Sequence, residues 1–570
     1  MRYYALACDY DGTLAHDGRV KDSTVAALER LRESGRRLIM VTGREMRDLF
    51  EIFSRLDLFE WIVAENGALL YRPSTREERL LGEAPPAAFV EMLAARGVRE
   101  MSVGHGIVAT WVPYESVVLS SIRDLGLDLQ VIFNKGAVMV LPSGVNKASG
   151  LLAALKEMRL SPRNVVSVGD AENDHAMLKL CECGVAVSNA LPTVKETADY
   201  ATDGDHGDGV VELIDMMVDN DLAALESRLR RRDFLLGTLK DDSPVAISPH
   251  GLSLMIAGTS GSGKSTLTTG LIERLQEQGY QFCLIDPEGD YQDLPGTITL
   301  GDSKRPPTVT EVLQLLERPD QSGVVSLVGV AMEHRPEFFG KLLPALTQLR
   351  HETGRPHWII VDEAHHLLPT TWAPAAAVVP SEFDGLILIT VHPEHVAAQV
   401  VANVDLVLAI GAAPAETIGG FSKTLGVEPP SVPDVTLQPG EGIAWQRTPP
   451  RDPFWFRSIP PKAERRRHRR KYAEGEIEEE RVFYFRGPEN KLKLRAQNLM
   501  VFLQLADGVD DDTWLHHLQA GDYARWFRTT MNDAELAAET EAVARDESLS
   551  PDESRARIRS AVETRYCGPA

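Results

Sequence analysis

The sequence predicts an α/β protein with two successive α/β regions and a smaller helical segment. Apolar, strand-like runs alternate with amphipathic helical runs through the first 220 residues, and the same alternation returns between residues 243 and 455. Such alternation is typical of parallel sheets covered by helices. At 570 residues the chain is also too long for one hydrophobic core, because domains usually contain about 100 to 200 residues.

Shifts in composition divide the chain further. Residues 73–143 are rich in β character and interrupt the first series, as an inserted α+β subdomain would. Residues 1–72 and 144–220 are therefore expected to form one core, and the polar stretch 221–242 to be a helical connector. The remaining predicted regions are a second α/β domain at 243–455, a basic and then acidic linker at 456–482, and a helical module at 483–570.

The composition is that of an ordinary globular protein, with 43% hydrophobic and 25% charged residues. No apolar run approaches the roughly 18 to 20 residues that span a bilayer, and the first residues lead into a strand, so we expect a cytoplasmic protein with no membrane partner.

Five scattered cysteines argue against a disulfide framework. The net charge of −23 repels nucleic acid over most of the surface.

One basic cluster interrupts this acidic character. It extends from Arg465 to Lys471 and is followed at once by an acidic run over residues 474–480. A solvated linker whose charges neutralise one another is the favoured interpretation, and a nucleic-acid contact is the alternative.

Two aspartates follow the first predicted strand. Residues 4–8 are apolar, and Asp9 and Asp11 come at the carboxyl end of this strand, where open α/β sheets bind ligands. Residues two apart share one face of a strand, so both carboxylates are expected in one crevice. A carboxylate that attacks phosphorus needs a divalent cation, because the two anions repel each other.

Later segments supply the other parts of a phosphoryl-transfer site. A second predicted strand ends in acids at Asp170 and Asp174, whose hard oxygen atoms suit Mg²⁺. Thr42 at the end of another strand and Lys147 before a helix provide a hydroxyl and a cation for the phosphoryl oxygens.

Together, in this order, these segments resemble the motifs of the haloacid dehalogenase superfamily of phosphohydrolases, over about residues 1–220. Residues 64–68 and 185–200 resemble its Cof-type branch, which carries a cap and includes phosphoglycolate and sucrose-phosphate phosphatases. The resemblance implies a Rossmann-like core and a phosphorylated small-molecule substrate chosen by the cap. It also implies Asp9 as nucleophile, Asp11 as general acid and base, Thr42 and Lys147 as phosphate-binding residues, and Asp9, Asp11, Asp170 and Asp174 as the Mg²⁺ site.

The middle of the chain carries a nucleotide-binding signature. Residues 258–265 fit G-x-x-x-x-G-K-[ST] and lie between a predicted strand, 252–257, and a predicted helix, 266–278, which is the context that the motif requires. In such a loop backbone N–H groups surround the phosphates of ATP, the lysine reaches the β and γ oxygens, and the serine binds Mg²⁺. The expected ATP-binding residues of this loop are Gly258, Gly261, Gly263, Lys264, Ser265 and Thr266, with Ser265 also a metal ligand.

A second acidic strand end completes the predicted ATP site. The apolar residues 357–361 lead to Asp362, which is expected to anchor the Mg²⁺ shell, and to Glu363, which is expected to orient and deprotonate the attacking water. Thr390 and His392, at the end of a further strand, are candidate sensors of the γ-phosphate.

Asp286 ends the strand between these motifs and is counted with the ATP-binding residues. The stretch 286–291 and the Asp-Glu-Ala-His box resemble the HerA/FtsK and conjugation-type ATPases, over about residues 245–415. The resemblance implies an ASCE-type P-loop domain that hydrolyses ATP as a homo-oligomer, commonly a hexamer.

An arginine from a neighbouring subunit usually completes such sites, and Arg350 and Arg355 are the candidates. There is no room before the P-loop for the β-barrel of HerA proteins, so DNA translocation is not expected.

Residues 483–570 predict a small helical module for assembly or partner docking. Its aromatic residues, such as Trp514 and Trp526, are expected to form its core rather than a base-stacking platform. Ser550, Pro551 and Glu553 have the spacing of a helix start.

Three functional hypotheses follow. The first is a bifunctional enzyme, a Mg²⁺-dependent phosphatase joined to a HerA-like ATPase that assembles or regulates it. The second is a nucleic-acid end-processing enzyme similar to polynucleotide kinase-phosphatases, with Asp286 as the base for a 5′-hydroxyl. Glu363 argues against it, because an activated water would waste ATP in a kinase. The third is an oligomeric scaffold switched by ATP.

Overall fold

The computed structural model describes the chain except residues 227, 293, 372–383, 463–481, 532, 547 and 568–570. The chain divides into two compact units, Met1–Pro461 and Lys462–Ala570. The basic cluster from Arg465 to Lys471 lies outside the described residues. In the described part of the chain no helix combines the length and apolar character needed to cross a membrane.

The first α/β series and its insertion contain the strands β1 (Ala5–Cys8), β2 (Arg37–Val41), β3 (Trp61–Ala64), β4 (Leu69–Arg72), β5 (Glu77–Leu80), β6 (Met101–Val103), β7 (Val108–Trp111), β8 (Leu129–Asn134), β9 (Ala137–Pro142), β10 (Val165–Gly169), β11 (Cys183–Ala186) and β12 (Tyr200–Ala201). The helices are α1 (Asp22–Glu33), α2 (Met46–Ile52), α3 (Ala87–Ala95), α4 (Glu115–Asp124), α5 (Lys147–Glu157), α6 (His175–Leu180), α7 (Pro192–Thr197) and α8 (His206–Asn220).

The first sheet has the strand order β12-β11-β10-β1-β2-β3-β4-β5. Its strands run parallel from β12 to β3, and β4 and β5 are antiparallel additions at one edge. β1 lies in the middle and all four of its residues are buried. Strands covered on both faces are apolar at every position, which explains the continuous apolar runs in the sequence. The polar residues that follow β1 and β10 therefore meet at one edge of this sheet.

The inserted subdomain is an antiparallel sheet, β6-β7-β9-β8, with helices α3 and α4 against it. The turn between β8 and β9 consists of Lys135 and Gly136, which both have positive φ, 47° and 88°. This is the conformation of a type I′ hairpin turn, in which the direction of the central side chains is set by the backbone. β5 pairs with β4 in the first sheet, so residues 77–80 do not belong to the insertion, contrary to the predicted start at residue 73.

The second α/β series contains the strands β13 (Phe234–Thr238), β14 (Pro244–Ile247), β15 (Leu254–Ala257), β16 (Phe282–Asp286), β17 (Thr297–Leu300), β18 (Ser322–Ser326), β19 (Trp358–Val361), β20 (Leu386–Thr390), β21 (Leu406–Ile410), β22 (Glu441–Gln446) and β23 (Phe454–Ser458). The helices are α9 (Lys264–Glu277), α10 (Val309–Leu316), α11 (Arg335–Thr353), α12 (Ala364–Leu367), α13 (Ala398–Val401) and α14 (Pro414–Leu425).

These strands form one sheet, in the order β14-β13-β23-β22-β21-β15-β20-β19-β16-β18-β17. From β21 to β17 neighbouring strands are parallel, whereas the strands from β14 to β22 form an antiparallel edge. The predicted helical connector at 221–242 is wrong in its second half. β13 begins at Phe234, because Phe234 and Leu236 are buried in the core of this sheet.

The second unit begins with a hairpin, β24 (Phe483–Phe485) and β25 (Leu494–Ala496), which the prediction of a wholly helical module missed. Its helices are Leu499–Gly508, Asp511–Gln519, Asp522–Thr530, Ala534–Arg545 and Pro551–Val562. Trp514 and Trp526 are buried in the core, and Ser550 and Glu553 form the predicted capping box. The role of this module in assembly stays a prediction.

The two α/β sheets of the first unit meet around the buried carboxylate of Glu182. It is bonded to Arg2 at 2.9 Å and Arg163 at 3.3 Å from its own sheet, and to His250 at 2.9 Å and the hydroxyl of Tyr280 at 3.0 Å from the second. Burial opposes ionisation of Glu182, but His250, Arg2 and Arg163 outweigh it and lower the pKa of the carboxyl. The network keeps Glu182 charged at the centre of the contact.

Replacing Glu182 with Ala is expected to lower the free energy of unfolding of the first unit by about 3 to 5 kcal/mol, because Arg2 and Arg163 remain buried without their anion. Chemical denaturation followed by tryptophan fluorescence measures this. Since folding lowers the pKa of Glu182, its contribution is present at neutral pH and is lost as the pH falls below about 4.

The matched control is Glu317→Ala, which removes another ion pair between the same sheets. Glu317 and Arg159 lie 2.9 Å apart, but their side chains are 48% and 66% exposed, so the expected loss is under about 1 kcal/mol. Equal losses in the two variants would contradict the assignment of Glu182 as the central contact.

Candidate active sites

Three buried carboxylates meet where β1 and β10 end. Asp9 follows β1, Asp170 follows β10, and Asp174 lies in the short turn after it. β1 and β10 are paired neighbours, and the N–H of Asp9 donates to the carbonyl oxygen of Val168. Oxygen atoms of the three carboxylates lie within 4.8 Å of one another. The parallel sheet therefore brings together acids that are more than 160 residues apart in the sequence.

Lys147 neutralises part of this charge. It is the first residue of α5, whose start is capped by the side chain of Asn146. The Nζ atom of Lys147 is 2.5 Å from Asp9 and 2.6 Å from Asp174. Burial alone would lower the pKa of Lys147, but Asp174 and Asp9 outweigh burial and raise it. Lys147 is therefore a permanently charged bridge between two carboxylates.

The remaining negative charge of the group suits a divalent cation. Burial raises the pKa of Asp9 despite Lys147, with Asp174 and Asp170 adding to the shift, and burial likewise raises the pKa of Asp170. Three hard oxygen donors within reach of one another fit the preference of Mg²⁺ for carboxylate ligands. Asp174 also accepts the N–H groups of Asp170 and Ala171, at 2.9 and 3.0 Å, and so fixes the loop that carries Asp170.

Asp11 does not join this cluster. Both of its carboxylate oxygens accept hydrogen bonds from Arg44, each at 2.7 Å, and its side chain is 44% exposed. The expectation that its carboxylate also binds the metal does not match this arrangement, because the paired guanidinium holds both oxygens. Sequence reasoning missed Arg44, which follows Thr42 and Gly43 after β2.

Thr42 lies at the end of β2 and is fully buried. Its hydroxyl accepts the N–H of Arg44 at 3.1 Å, and its carbonyl accepts the N–H of Asn66. Asn66 has a positive φ of 57° and accepts the side-chain amide of Asn173 at 2.9 Å. Strained backbone of this kind is concentrated at functional sites. The sequence analysis did not assign Asn66 or Asn173 to the site. The Glu-Asn-Gly stretch at residues 65–67 was a signal that could have identified Asn66.

The inserted subdomain covers this edge of the sheet. The buried carboxylate of Glu65 accepts the N–H groups of His105 at 3.0 Å and Gly106 at 2.7 Å. The sulfur of Met139 in β9 contacts the side-chain amide of Asn66 at 3.0 Å. Lys135, in the hairpin turn, lies 2.6 Å from Asp170. Sequence reasoning did not identify Lys135, because a lysine in a turn is usually a solvated residue.

The nucleotide-binding loop lies between β15 and α9, as predicted. A Cβ atom at Gly258 would be 2.0 Å from the carbonyl oxygen of Ile410, so only glycine fits there. The Nζ atom of Lys264 donates to the carbonyls of Gly258 and Thr259 at 2.9 and 3.0 Å. Burial lowers the pKa of Lys264, although Glu363 and Asp362 oppose the shift.

The other predicted residues of this site lie at neighbouring strand ends. Asp362 and Glu363 follow β19, and Glu363 has a left-handed backbone with φ 44°, again a strained position at a candidate site. Thr390 ends β20, next to β15, and its hydroxyl oxygen lies 3.1 Å from the ring of His365. The N–H of His392 also donates to that hydroxyl, at 3.0 Å. The assignments of Ser265, Thr266, Thr390 and His392 to nucleotide remain predictions.

Asp286 binds the backbone of the loop that follows β16, and its assignment to the nucleotide site stays a prediction. Its carboxylate accepts the N–H groups of Gly289, Asp290 and Tyr291 at 2.8, 3.0 and 2.6 Å, and its side chain is fully buried. It holds the loop after β16 in shape. A base for a 5′-hydroxyl would need an accessible oxygen, so this geometry argues against the kinase alternative.

Arg350 and Arg355 are wrong as candidates for an arginine supplied to a neighbouring subunit. Arg350 donates to the carbonyls of Pro356 and Asp384, at 2.8 and 2.6 Å. Arg355 is 0% exposed and donates to the carbonyl of Arg159 at 2.7 Å, across the contact between the two sheets. Both guanidinium groups donate to backbone carbonyls of the same chain, and that of Arg355 also donates to the side-chain oxygen of Gln281 at 3.0 Å.

Comparison with known proteins agrees with this geometry. A family model described as haloacid dehalogenase-like hydrolase matches residues 6–93 and 126–214. The protein named phosphoglycolate phosphatase 2 from Saccharolobus solfataricus is 32% identical over 220 residues, which cover 37% of this chain and 91% of the relative. Phosphoglycolate phosphatases from Methanothermobacter thermautotrophicus and Haloarcula marismortui are 31% and 33% identical, over 37% of this chain and 96% and 95% of the relatives.

Through its N-terminal part the chain belongs to the haloacid dehalogenase-like hydrolase family. A second family model, described as an AAA domain, matches residues 249–383, which include the nucleotide-binding loop and the acidic end of β19. A domain of this hydrolase family and a P-loop domain are thus fused in one chain, as the sequence predicted, and the similarity to HerA and FtsK stays a prediction.

Replacing Asp170 with Asn is expected to raise the dissociation constant for Mn²⁺, used as a probe for Mg²⁺, by about tenfold or more. Mutation of residues that merely hydrogen-bond to metal ligands typically costs about tenfold in metal affinity, and the loss of a ligand should cost at least as much. Asp11→Asn is the matched control and should leave the affinity nearly unchanged, since Arg44 holds that carboxylate. Isothermal titration calorimetry measures both. Equal weakening would place Asp11 among the metal ligands.

Proposed function

We propose that this chain is a bifunctional enzyme, a Mg²⁺-dependent phosphomonoesterase joined to an ATPase. The observation that carries the first activity is the buried cluster of Asp9, Asp170 and Asp174 around Lys147. The second activity is supported by the nucleotide-binding loop and by Glu363 at the end of β19.

In the phosphatase reaction the carboxylate of Asp9 attacks phosphorus and forms an aspartyl-phosphate, while the leaving oxygen takes a proton from Asp11. Water then attacks phosphorus and gives a proton to Asp11, and the bond between Asp9 and phosphorus breaks to release phosphate and the free carboxylate. For these transfers the contact of Asp11 with Arg44 has to open. Thr42 and Lys147 bind the phosphoryl oxygens. Mg²⁺, held by Asp9 and Asp170, would offset the charge of the phosphoryl group.

The proposed substrate is a small phosphomonoester. The curated relatives are named phosphoglycolate phosphatases and align over nearly their whole length. Met139 of the inserted subdomain lies over the end of β2, 3.5 Å from the position that a Cβ atom would take at Gly43. Phosphoglycolate is therefore the first substrate to test.

For the second site we propose ATP hydrolysis by a HerA-like homo-oligomer that assembles or regulates the phosphatase. Glu363 deprotonates the attacking water and Lys264 binds the β and γ oxygens, while Asp362 and Ser265 would hold Mg²⁺. The contact around Glu182 supports a regulatory link, because it joins the sheets that carry the two sites.

Asp9→Asn is expected to lower hydrolysis of para-nitrophenyl phosphate by about a thousandfold or more, because the nucleophile is lost, while ATP hydrolysis continues. The released phosphate or nitrophenol measures each reaction. Asp17→Asn is the matched control in the same loop, since the side chain of Asp17 is 94% exposed, and should retain both activities. Unchanged phosphatase activity in Asp9→Asn would contradict the proposal.

Glu363→Gln is expected to slow ATP turnover by about several hundredfold, because the amide cannot accept the proton of the attacking water, and to leave phosphatase activity intact. The control is Glu337→Gln, an exposed residue of α11. Wild-type assays with ATP should include a 5′-hydroxyl oligonucleotide. Phosphate appearing on the oligonucleotide would instead support the kinase alternative.

A further inference from the structure

We propose that Lys135 forms a binding subsite for a second anionic group of the phosphatase substrate. The inference rests on the proposed phosphatase function and narrows it. The preferred substrates are then small phosphomonoesters that carry a carboxylate one or two carbon atoms from the ester oxygen.

The position of Lys135 is set by the hairpin that carries it. Lys135 and Gly136 form the turn between β8 and β9, and their positive φ values commit the turn to one conformation. A turn of this kind projects its side chains from the end of the hairpin. The end of this hairpin lies over the carboxyl edge of the first sheet, because β8 packs against the turn that contains Asp174.

The ammonium group reaches the catalytic cluster. The Nζ atom of Lys135 is 2.6 Å from Asp170, and a Cβ atom at Gly12 would lie 2.9 Å from it. Gly12 follows the pair Asp9 and Asp11 directly, so the ammonium lies between the nucleophile loop and the end of β10. A substrate whose phosphorus faces Asp9 can therefore extend toward this ammonium.

Lys135 differs from the other ion pair that the described residues show between the inserted subdomain and the core. That pair joins His105 of the insertion to Glu65, which does not belong to the cluster of three carboxylates. Lys135 pairs with a member of that cluster, and its own side chain is 49% exposed whereas that of Asp170 is 1% exposed. Lys135 therefore lies at the solvent-exposed side of the site, and Asp170 lies at its buried side.

The charges favour an anion at this point. Lys147 is already shared between Asp9 and Asp174, so its charge is largely neutralised by the chain itself. Asp170 is a proposed metal ligand, and its charge is then shared with the cation. Once Asp170 shares its charge with the metal, the ammonium of Lys135 can donate a strong, charge-assisted hydrogen bond to a carboxylate of the substrate.

The test uses two phosphonates in which carbon replaces the ester oxygen. Isothermal titration with Mg²⁺ should show that the wild-type chain binds 3-phosphonopropionate about 10- to 100-fold more tightly than propylphosphonate, which lacks the carboxylate. Lys135→Met should remove this preference, and Lys135→Arg should keep most of it. Lys156→Met, an exposed lysine of α5, is the matched control and should behave as wild type.

Kinetics give a second readout. The preference in kcat/KM for phosphoglycolate over ethyl phosphate should fall in Lys135→Met, mainly through a higher KM for phosphoglycolate. Equal binding of the two phosphonates by the wild type would overturn the subsite. So would an equal loss for both ligands in Lys135→Met, since the lysine would then serve the phosphate.

These outcomes are distinct from a failure of the proposed function. If the wild type hydrolyses neither ester, the phosphatase proposal fails, while the calorimetric comparison still decides whether the subsite exists. If Lys135→Met does not fold, judged by circular dichroism, Lys135→Gln replaces it. The wild-type comparison of the two phosphonates needs no variant.

Discussion

The buried carboxylate of Glu182 is the interaction on which the placement of the two α/β sheets depends. Removing a charge from water costs several kcal/mol per ion, and the cost is offset only when its partners surround it. Those partners come from both sheets, Arg2 and Arg163 from the first and His250 and Tyr280 from the second. The network is therefore satisfied only in the docked arrangement, which keeps both candidate sites in one compact unit.

In both candidate sites the acidic side chains follow the carboxyl ends of parallel strands, but the two lysines have different hydrogen-bond partners. Lys147 bridges two carboxylates, which raise its pKa, so its charge serves first to hold the acidic cluster together. Lys264 donates to two backbone carbonyls, and burial lowers its pKa. Carbonyl dipoles neutralise an ammonium less than carboxylates do. The charge of Lys264 is therefore less neutralised by its direct hydrogen-bond partners than that of Lys147.

The predictions that agree with the structure concern strand ends, and those that fail concern side-chain partners. Asp9, Asp170, Lys264 and Asp362 lie where the apolar strands before them place them. Asp11, Asp286 and Arg355 also follow or precede strands, but they bond to Arg44, to a loop backbone and to Arg159. Such partners lie close in space without any regular spacing in the sequence, so no pattern reveals them. Lys135 was missed for the same reason.

The sequence by itself determined the two α/β series, the order of the phosphoryl-transfer motifs and the P-loop, because hydrophobic periodicity and glycine spacing are local properties of the chain. The tertiary structure alone decided which acids share a cluster, which arginines are buried and what covers the first site. These depend on strand order and on the docking of one sheet against another. Contacts between residues far apart in the chain arise only when the whole fold has formed.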